Sequence, residues 1–402
     1  MLQPPTPQTP QTSAQLAVRW HGLALVTLLC VSVPIVHLVW HGLLGRTEPL
    51  LRTRSQLAAP SLTKASLLDG TWMVEKEKQL REDSPITWWM RSSWNEMRYR
   101  LGVPQSSQVH FGKGEWFFIK ESVSPDLAAF ERARPARMQF FREVRDLVRQ
   151  AGAELFVVIL PDKARVYPEM CYGDGVLPPS KVGNYVAILA DLAAVDIPTV
   201  DLAAAMAAAR AVDPATELYY RRDTHWRPAG ALVAGRAVAA ALEQHFGTRL
   251  GPRSAVALSG LTSVRAIGDL PANMGIGTVE LPDPVLEWRT APMSFLADHL
   301  SEVRDYYGVE IRRETGAVAM DGKDPQAEVL LLGASFAEEN GMNALALFLG
   351  RSVRAYIRRG AVGMLPLQAA LPELRAGTKA KVVVWEIVER GIFDPVWRQP
   401  KL

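Results

Sequence analysis

The sequence predicts an α/β protein: a mainly parallel sheet flanked by helices, preceded by an N-terminal transmembrane helix. From residue 110 onward, short apolar runs alternate with longer stretches of helical periodicity, which is typical of a parallel sheet with crossover helices. Runs such as ELFVVIL (154–160) are continuously apolar after their first residue, as expected of strands covered on both faces. The transmembrane helix is indicated by residues 22–40, which carry no formal charge and are long enough to span a bilayer.

Composition limits the classes of function. The chain has 402 residues, 48% of them hydrophobic, which is enough for a substantial core. With 45 basic and 42 acidic residues the net charge is only +3, and no basic run or zinc-finger spacing occurs, so no nucleic-acid partner is predicted. Cys30 lies in the apolar run, and we expect no disulfide between it and Cys171.

The chain divides into four predicted segments. Residues 1–20 are expected to be a disordered cytoplasmic tail, because their first part is rich in Pro, Gln and Thr. Residues 21–43 are predicted to be a transmembrane anchor rather than a cleaved signal peptide, because the apolar run is long and no small-x-small cleavage site follows it. Residues 44–94 are predicted to be a linker and helical region, and 95–402 the main domain.

The charges that flank the predicted anchor bear on its orientation. Arg19 precedes the span closely, whereas Arg46, Arg52 and Arg54 follow it. Taken alone, the positive-inside rule would place the large C-terminal part in the cytoplasm.

The predicted elements of the main domain follow in order. A short β unit, HFGKGEWFFI, ends at Ile119. The predicted helix at 137–152 stops at Gly152. RPAGALVAGRAVAAALEQHF (227–246) is predicted to be a helix, with Pro228 in its first turn. The stretch at about 250–326 is predicted to be an irregular insert, with one helix at 293–307. The remaining predicted strands are 154–160, 197–202, 327–333, 353–357 and 381–387, and the remaining helices are 137–152, 181–194, an alanine-rich segment after 202, 343–350 and 364–376.

Ser335 is a candidate nucleophile. It follows Gly333 directly after an apolar strand, and ligands of open α/β sheets bind at the carboxyl ends of strands. The glycine permits a tight turn, and the backbone N–H groups after the serine are candidate oxyanion donors. The alternative is that Ser335 only caps the next helix.

Asp223 and His225 are candidates for two further members of the same site. Residues two apart share a face only in extended chain, so the pair is predicted to lie in a loop just before the 227–246 helix. The carboxylate could then fix the histidine tautomer and leave the second ring nitrogen free to take a proton from a serine. A metal site and a structural His–Asp pair are alternatives, although no HExxH motif and no cysteine cluster accompany the pair.

Five blocks, in order, resemble the SGNH-hydrolase-like domain of the alginate O-acetyltransferase family of the AlgJ/AlgX type. They are GKGEWFFIKE (112–121), VVILPDKARVYPEM (157–170), DTHWRPAGA (223–231), GASFAEENGMNALALFLG (333–350) and VVVWEIVERGIF (382–393). A weaker match, IGDLPANM (267–274), lies in the insert. Departures include Ala334 and Ala337 around the serine, and the acidic pair Glu338–Glu339, which would disfavour an anionic intermediate if it faced the site.

The resemblance implies a mechanism and partners. Ser335 would be the nucleophile, His225 the base and Asp223 the residue that orients it, in an acetyl transfer to an exported or cell-envelope polysaccharide. The family resemblance implies an inner-membrane location with a periplasmic catalytic domain, and a membrane-bound O-acyltransferase that supplies the acetyl group. No metal or other cofactor is implied. We further predict substrate contacts at Lys163, Trp226 and Asn340.

Two alternative functions stay open on the sequence. A carbohydrate acetyl-esterase would use the same triad with water as acceptor. A non-catalytic scaffold or binding subunit of a polysaccharide export complex would not need a working serine.

Overall fold

The computed structural model of the protein describes residues 72–74, 85–102, 106–274, 276, 278–283, 287–292, 299–313, 316–319, 321–359 and 364–392. Within these ranges, no helix combines the length and the apolar composition needed to cross a bilayer. The predicted tail (1–20) and anchor (21–43) lie outside the described residues.

The chain divides into two units. The first comprises Met1–Val103 and Gly275–His299, and the second Pro104–Met274 and Leu300–Leu402. In the first unit, the described elements include a helix at Pro85–Arg100 and an antiparallel hairpin of the strands Thr278–Asp283 and Glu287–Pro292. The second unit holds the remaining strands and longer helices.

The strands are β1 (Val109–Phe111), β2 (Phe117–Ile119), β3 (Glu154–Leu160), β4 (Val256–Ile267), β5 (Thr278–Asp283), β6 (Glu287–Pro292), β7 (Ser301–Arg313), β8 (Gly316–Ala319), β9 (Val329–Gly333), β10 (Val353–Ile357) and β11 (Val382–Val388). The longer helices are α1 (Pro85–Arg100), α2 (Leu127–Gln150), α3 (Pro179–Ala194), α4 (Leu202–Val212), α5 (Pro228–Phe246), α6 (Met342–Leu349) and α7 (Met364–Ala376). Single turns lie at Lys113–Glu115, Lys120–Val123, Lys163–Val166, Pro168–Cys171, Asp269–Asn273 and Glu389–Ile392, and a π-helical turn at Ala337–Gly341.

The central sheet is parallel, with the strand order β10-β9-β11-β3. Its four strands confirm the predicted strands at 154–160, 327–333, 353–357 and 381–387, each within two residues at either end. Because the strands run in one direction, their carboxyl ends meet at one edge of the sheet, which is where the segments after β3, β9 and β11 lie.

Side chains of the sheet alternate between two buried clusters. In β3, Phe156, Val158 and Leu160 join one cluster, whereas Leu155, Val157 and Ile159 join the other. The first cluster includes residues of α4, α5 and α6, and the second includes residues of α2, α3 and α7. The sheet is therefore covered by helices on both faces, which confirms the predicted α/β class and explains the continuously apolar strands.

Two predicted elements differ in type from the structure, and the predicted helix at 137–152 begins ten residues earlier, because α2 covers Leu127–Gln150. The predicted strand at 197–202 is reduced to an isolated parallel bridge between Thr199 and Val157. Asp201 then accepts a hydrogen bond from the backbone N–H of Ala204 at 2.9 Å and caps helix α4. The aspartate stops the extended segment early because its side chain satisfies a helix N-terminus.

The described part of the insert at about 250–326 is not irregular, and the predicted helix at 293–307 is wrong where the structure describes it, because residues 301–307 belong to strand β7. Strands β4 and β7 pair antiparallel, and β8 pairs with the far end of β7. The buried residues Tyr307, Val309 and Ile311 alternate along β7, and this period of two is the pattern of a strand. A bulge at Gly260, whose φ is 54°, interrupts the register between β4 and β7.

Glu386 is an acid buried in the middle of strand β11. It lies opposite Val158 of β3, and its carboxyl group borders a small cavity that is also lined by Trp226 and Leu345. Its Oε2 has no hydrogen-bond partner among the described residues. Burial raises the pKa of Glu386 to about 8, so the group is neutral in the folded protein at physiological pH.

We expect the Glu386→Gln variant to gain stability relative to the wild type as the pH rises from 5 to 8. Between the ordinary pKa of about 4.5 and the folded value of about 8, unfolding releases a proton from Glu386, so the stability of the wild type falls as the pH rises. Glutamine does not titrate, so the stability of the variant does not fall for this reason. Urea unfolding at several pH values measures the difference. The exposed Glu131→Gln is the control, and parallel curves for wild type and Glu386→Gln would contradict the assignment.

Candidate active site

Ser335 lies at the carboxyl edge of the sheet, two residues after Gly333, the last residue of β9. It is half-buried and opens the helical segment that continues into α6. A Cβ on Gly333 would lie 2.4 Å from the Cβ of Ala337, so only glycine allows the chain to turn this tightly. The sharp turn presents the serine at the sheet edge.

Asp223 and His225 lie in the loop that precedes α5. The loop closes on itself, because the backbone N–H of Tyr220 donates to the carbonyl of His225 at 3.2 Å. The Asp223 Oδ1 atom accepts from the backbone N–H of His225 at 2.9 Å and is 2.6 Å from its Nδ1. The structure confirms the predicted loop before α5, but residues 221–225 form turns and bends, so the two side chains meet across a turn rather than along extended chain.

His225 bridges Asp223 and Ser335. Its Nε2 lies 2.6 Å from the Oγ of Ser335, across a sequence separation of 110 residues. Because an ionised carboxylate can only accept, Nδ1 carries the proton and Nε2 is free to accept from the serine hydroxyl. The three side chains thus form one continuous hydrogen-bonded chain from a buried carboxylate to a half-buried hydroxyl.

The electrostatics of the pair favour an ionised Asp223. Burial alone would raise the pKa of Asp223, but the nearby His225 and Arg304 outweigh burial and hold that pKa well below its usual range. For His225, burial lowers the pKa, and the charge and hydrogen bond of Asp223 overcome that effect and raise it above the ordinary value. The carboxylate therefore stays an anion and supports a proton on the imidazole.

The insert supplies two residues that contact this pair. Asp223 Oδ2 accepts from the backbone N–H of Asp269 at 2.7 Å and from the guanidinium of Arg304. The Asp269 carboxylate accepts in turn from the backbone N–H of Thr224 at 2.8 Å and from its hydroxyl at 2.5 Å. Sequence reasoning did not identify Asp269 or Arg304 as site residues. The IGDLPANM match contained a signal for Asp269, but no signal pointed to Arg304.

Asp223, His225 and Asp269 could in principle offer ligand atoms to a metal ion, since one such atom from each lies within 4.8 Å of the others. However, the oxygens of both carboxylates already accept hydrogen bonds from N–H or O–H groups, and Asp223 also pairs with the positively charged Arg304. This donor set fits a hydrogen-bonded relay better than a cation site.

The acidic pair after the serine is neutralised. Glu338 is exposed and forms an ion pair with Arg359, with a 2.7 Å contact between Arg359 Nη2 and Glu338 Oε1. Glu339 accepts from Arg304 at 3.2 Å and from the hydroxyl of Tyr306 at 3.3 Å. Both carboxylates therefore have positively charged partners, and neither is a bare charge beside the nucleophile.

Comparison with known proteins identifies the family. The profile of the family described as "SGNH hydrolase-like domain, acetyltransferase AlgX" matches residues 109–389. The chain belongs to this family. The matched range contains the four-stranded sheet, Asp223, His225 and Ser335.

Individual relatives agree with the family assignment. A probable alginate O-acetylase AlgJ of Pseudomonas putida is 28% identical over 346 residues, which are 83% of this chain and 84% of that protein. The AlgJ of Azotobacter vinelandii, also described as a probable alginate O-acetylase, is 27% identical, covering 90% of this chain and 92% of its own. The solved O-acetyltransferase domain of Pseudomonas putida AlgJ has a TM-score of 0.56 and 27% identity, covering 71% of this chain and 93% of the domain. The chain is thus an O-acetyltransferase of the SGNH type with an SGNH-like α/β fold.

The family blocks around Pro161 and at the C-terminus meet in a buried ionic cluster. Glu389 is fully buried and accepts from Arg165, with contacts of 2.9 Å and 2.7 Å, and from the backbone N–H of Asp162 at 2.9 Å. Lys181 lies 3.5 Å from Asp162. These contacts join the segments after β3 and β11, so the two blocks hold the sheet edge together.

The structure does not place Lys163, Trp226 or Asn340 where a substrate would reach them. All three side chains are buried. Trp226 Nε1 donates to the carbonyl of Glu339 at 2.7 Å. The Asn340 amide donates to the carbonyl of Asp305 at 2.8 Å and accepts from the N–H of Tyr307 at 3.0 Å. The prediction of substrate contacts is replaced by an internal role, because these groups satisfy backbone atoms of the loops that carry the site and of strand β7 beside them.

Lys163 has the most defined of these internal roles. Its Nζ donates to the carbonyls of Tyr220 at 3.0 Å, Arg221 at 3.0 Å and Asp223 at 2.7 Å. It also lies 5.0 Å from the centre of the Phe118 ring. Burial lowers the pKa of Lys163 to about 8, against the opposing effect of nearby acids. One ammonium group therefore holds the loop that carries Asp223.

We expect the Lys163→Met variant to lose stability by about 3 kcal/mol, because the buried carbonyls of Tyr220 and Asp223 lose this donor and the Arg221 carbonyl keeps only the N–H of Phe117. The misplaced loop should lower kcat for acetyl transfer while the KM for the acceptor stays close to that of the wild type. Thermal unfolding and steady-state kinetics measure both effects, with the exposed Lys113→Met as control. A raised KM with unchanged stability would instead support the original prediction of a substrate contact.

Proposed function

We propose that the protein transfers acetyl groups to hydroxyls of an exported or cell-envelope polysaccharide of the alginate type, through an acetyl-Ser335 intermediate. The observation that carries the proposal is the pair of 2.6 Å contacts that link Asp223 to His225 and His225 to Ser335. The polysaccharide acceptor is supported by the relatives described as alginate O-acetylases.

In the first half of the proposed reaction, Ser335 is acetylated. His225 Nε2 takes the hydroxyl proton as Oγ attacks the carbonyl carbon of the acetyl donor. The tetrahedral intermediate collapses, the bond to the leaving group breaks, and the imidazolium gives that proton to the leaving group. The negative charge on the carbonyl oxygen is met by the N–H groups of Ser335 and Phe336, which lie in the first helical turn and have no intrahelical acceptor.

In the second half, the acetyl group passes to the acceptor. A sugar hydroxyl gives its proton to Nε2 and attacks the acetyl carbon, and collapse of the second intermediate returns the proton to Ser335 Oγ. Asp223 stays ionised throughout, since the low pKa of Asp223 leaves the proton on the imidazole. The product is an O-acetylated saccharide and the free enzyme.

The proposed setting is the periplasmic side of the inner membrane, with a single anchor at 21–43. A membrane-bound O-acyltransferase would supply the acetyl group. The uncharged run at 22–40 supports the anchor. A reporter that is active only in the periplasm, fused after residue 60, should be active. An expressed but inactive fusion would overturn the location and agree with the arginines that follow the run.

The transfer activity is tested with the purified protein, p-nitrophenyl acetate as donor probe, and an unacetylated polyuronate oligosaccharide as acceptor. We expect acetylated oligosaccharide from the wild type and from Ser263→Ala, a control at an exposed serine, and none from Ser335→Ala. Acetate alone, with no acetylated saccharide, would favour the esterase alternative. Undiminished transfer by a folded Ser335→Ala would remove the serine from the mechanism.

A further inference from the structure

We propose that Arg304 is a positioning residue for the reaction: it fixes Asp223 against His225 and joins that carboxylate to the turn that carries Ser335. The inference rests on the proposed function. No family block identified from the sequence includes Arg304, and it reaches the site from strand β7 of the insert.

The contacts of Arg304 link the two halves of the site. Its guanidinium donates to Asp223 Oδ2 on the loop before α5, and to Glu339 Oε1 at 3.2 Å in the turn after Ser335. The same turn is held from the other side, because Trp226 Nε1 donates to the Glu339 carbonyl at 2.7 Å. Only 11% of the Arg304 side chain is exposed, so solvent screens these pairs weakly.

A planar guanidinium is suited to this position. Its N–H groups form a rigid fork that can serve two carboxylates at once, whereas an ammonium group is a single point charge. Asp223 Oδ1 is oriented toward His225, and Oδ2 is held by Arg304 and by the N–H of Asp269. With both oxygens fixed, the carboxylate cannot rotate away from the imidazole.

Arg304 also balances the charge around His225. The acids that act on His225 are Asp223, Asp269 and Glu339, and Ser335 is its neutral neighbour. Among the described residues, two basic side chains contact Asp223. Arg304 donates to the Asp223 carboxylate, and Lys163 donates to the Asp223 backbone carbonyl. The side chain of Arg304 itself faces Asp223, Glu339 and the phenol groups of Tyr306 and Tyr220.

Removal of Arg304 would therefore expose His225 to acids that have lost their cation. The pKa of His225 would rise, so a larger fraction of the enzyme would hold a protonated imidazole that cannot accept the serine proton. In kcat/KM profiles this effect appears as a shift of the acid limb to higher pH, which a loss of packing alone would not produce.

The test compares kcat/KM against pH, with p-nitrophenyl acetate as probe, for wild type, Arg304→Gln, Arg304→Lys and Arg354→Met. Arg354 is the control, since it also forms a largely buried ion pair, with Glu373 on α7, away from the triad. For Arg304→Gln we expect the plateau value of kcat/KM to fall about 10- to 100-fold. The midpoint of the acid limb should move about one pH unit higher. Arg304→Lys should shift the limb in the same direction by less, and Arg354→Met should keep the wild-type limb.

The outcomes separate this inference from the function on which it rests. A wild-type rate that does not depend on Ser335 overturns the proposed function itself. A rate that depends on Ser335, together with the same acid-limb midpoint in the folded Arg304 variants as in Arg354→Met, would overturn the inference on Arg304. If circular dichroism shows that Arg304→Gln does not fold, Arg304→Lys decides: an unshifted limb overturns the proposal, and a shifted one supports it.

Discussion

The His225→Ala variant is expected to lose acetyl transfer by about 10³- to 10⁶-fold in kcat, because the serine then has no group to take its proton. In the structure, His225 Nε2 contacts Ser335 Oγ at 2.6 Å, and among the described residues no second histidine makes a hydrogen bond to that oxygen. The KM for the acceptor should change little, since the imidazole acts on the reacting atoms rather than on remote parts of the sugar.

Steady-state kinetics on the purified variant measure this loss. The control is His245→Ala, at an exposed histidine of α5 that should leave kcat unchanged. Retention of more than a tenth of wild-type kcat by a folded His225→Ala would show that another group, or water, serves as the base.

The Asp223→Asn variant is expected to be less damaging than His225→Ala, with a loss of about 10³- to 10⁴-fold in kcat. An amide at this position could donate to Nδ1, which would move the imidazole proton to Nε2, the nitrogen that must accept from Ser335. The same change also removes the charge that raises the pKa of His225 and leaves Arg304 without its main partner.

Asp269→Asn provides the comparison for that experiment. The nearest Asp269 carboxylate oxygen lies 4.0 Å from His225 Nδ1, and its hydrogen bonds go to Thr224. The contact that Asp269 makes to Asp223 uses the backbone N–H, which the substitution leaves in place. We expect a loss of about tenfold or less. Equal losses in the Asp223 and Asp269 variants would contradict the assigned difference between them.

Much of the fold could be predicted from local patterns. The strands that form the sheet are short, mostly apolar and separated by periodic helices, so the local sequence was enough to predict them as strands. The position of the loop with Asp223 and His225 was predicted from the spacing of the two residues and from Pro228, which begins helix α5, but the turns that bring the pair together were not. Ser335 was predicted from its place after β9, and its contact with His225 then depended on the parallel topology.

Other features depended on tertiary contacts that no local pattern carries. Arg304 lies in a strand where the sequence predicted a helix, and its value to the site comes from an ion pair across 81 positions. In the sequence, Lys163 has the pattern of a charged turn residue. Its burial depends on the loop at 220–223, whose carbonyls accept hydrogen bonds from its Nζ. Glu386 is polar within an apolar strand, and only the covering helices show that its carboxyl group is buried.

The most direct test of the account is the mass of the peptide that contains Ser335 after a short incubation with p-nitrophenyl acetate and an acid quench. We predict one added acetyl group on Ser335, absent in His225→Ala, and lost when an acceptor oligosaccharide is added before the quench. Transfer to the oligosaccharide at the wild-type rate by Ser335→Ala, with no acetyl group on the wild-type peptide, would contradict it.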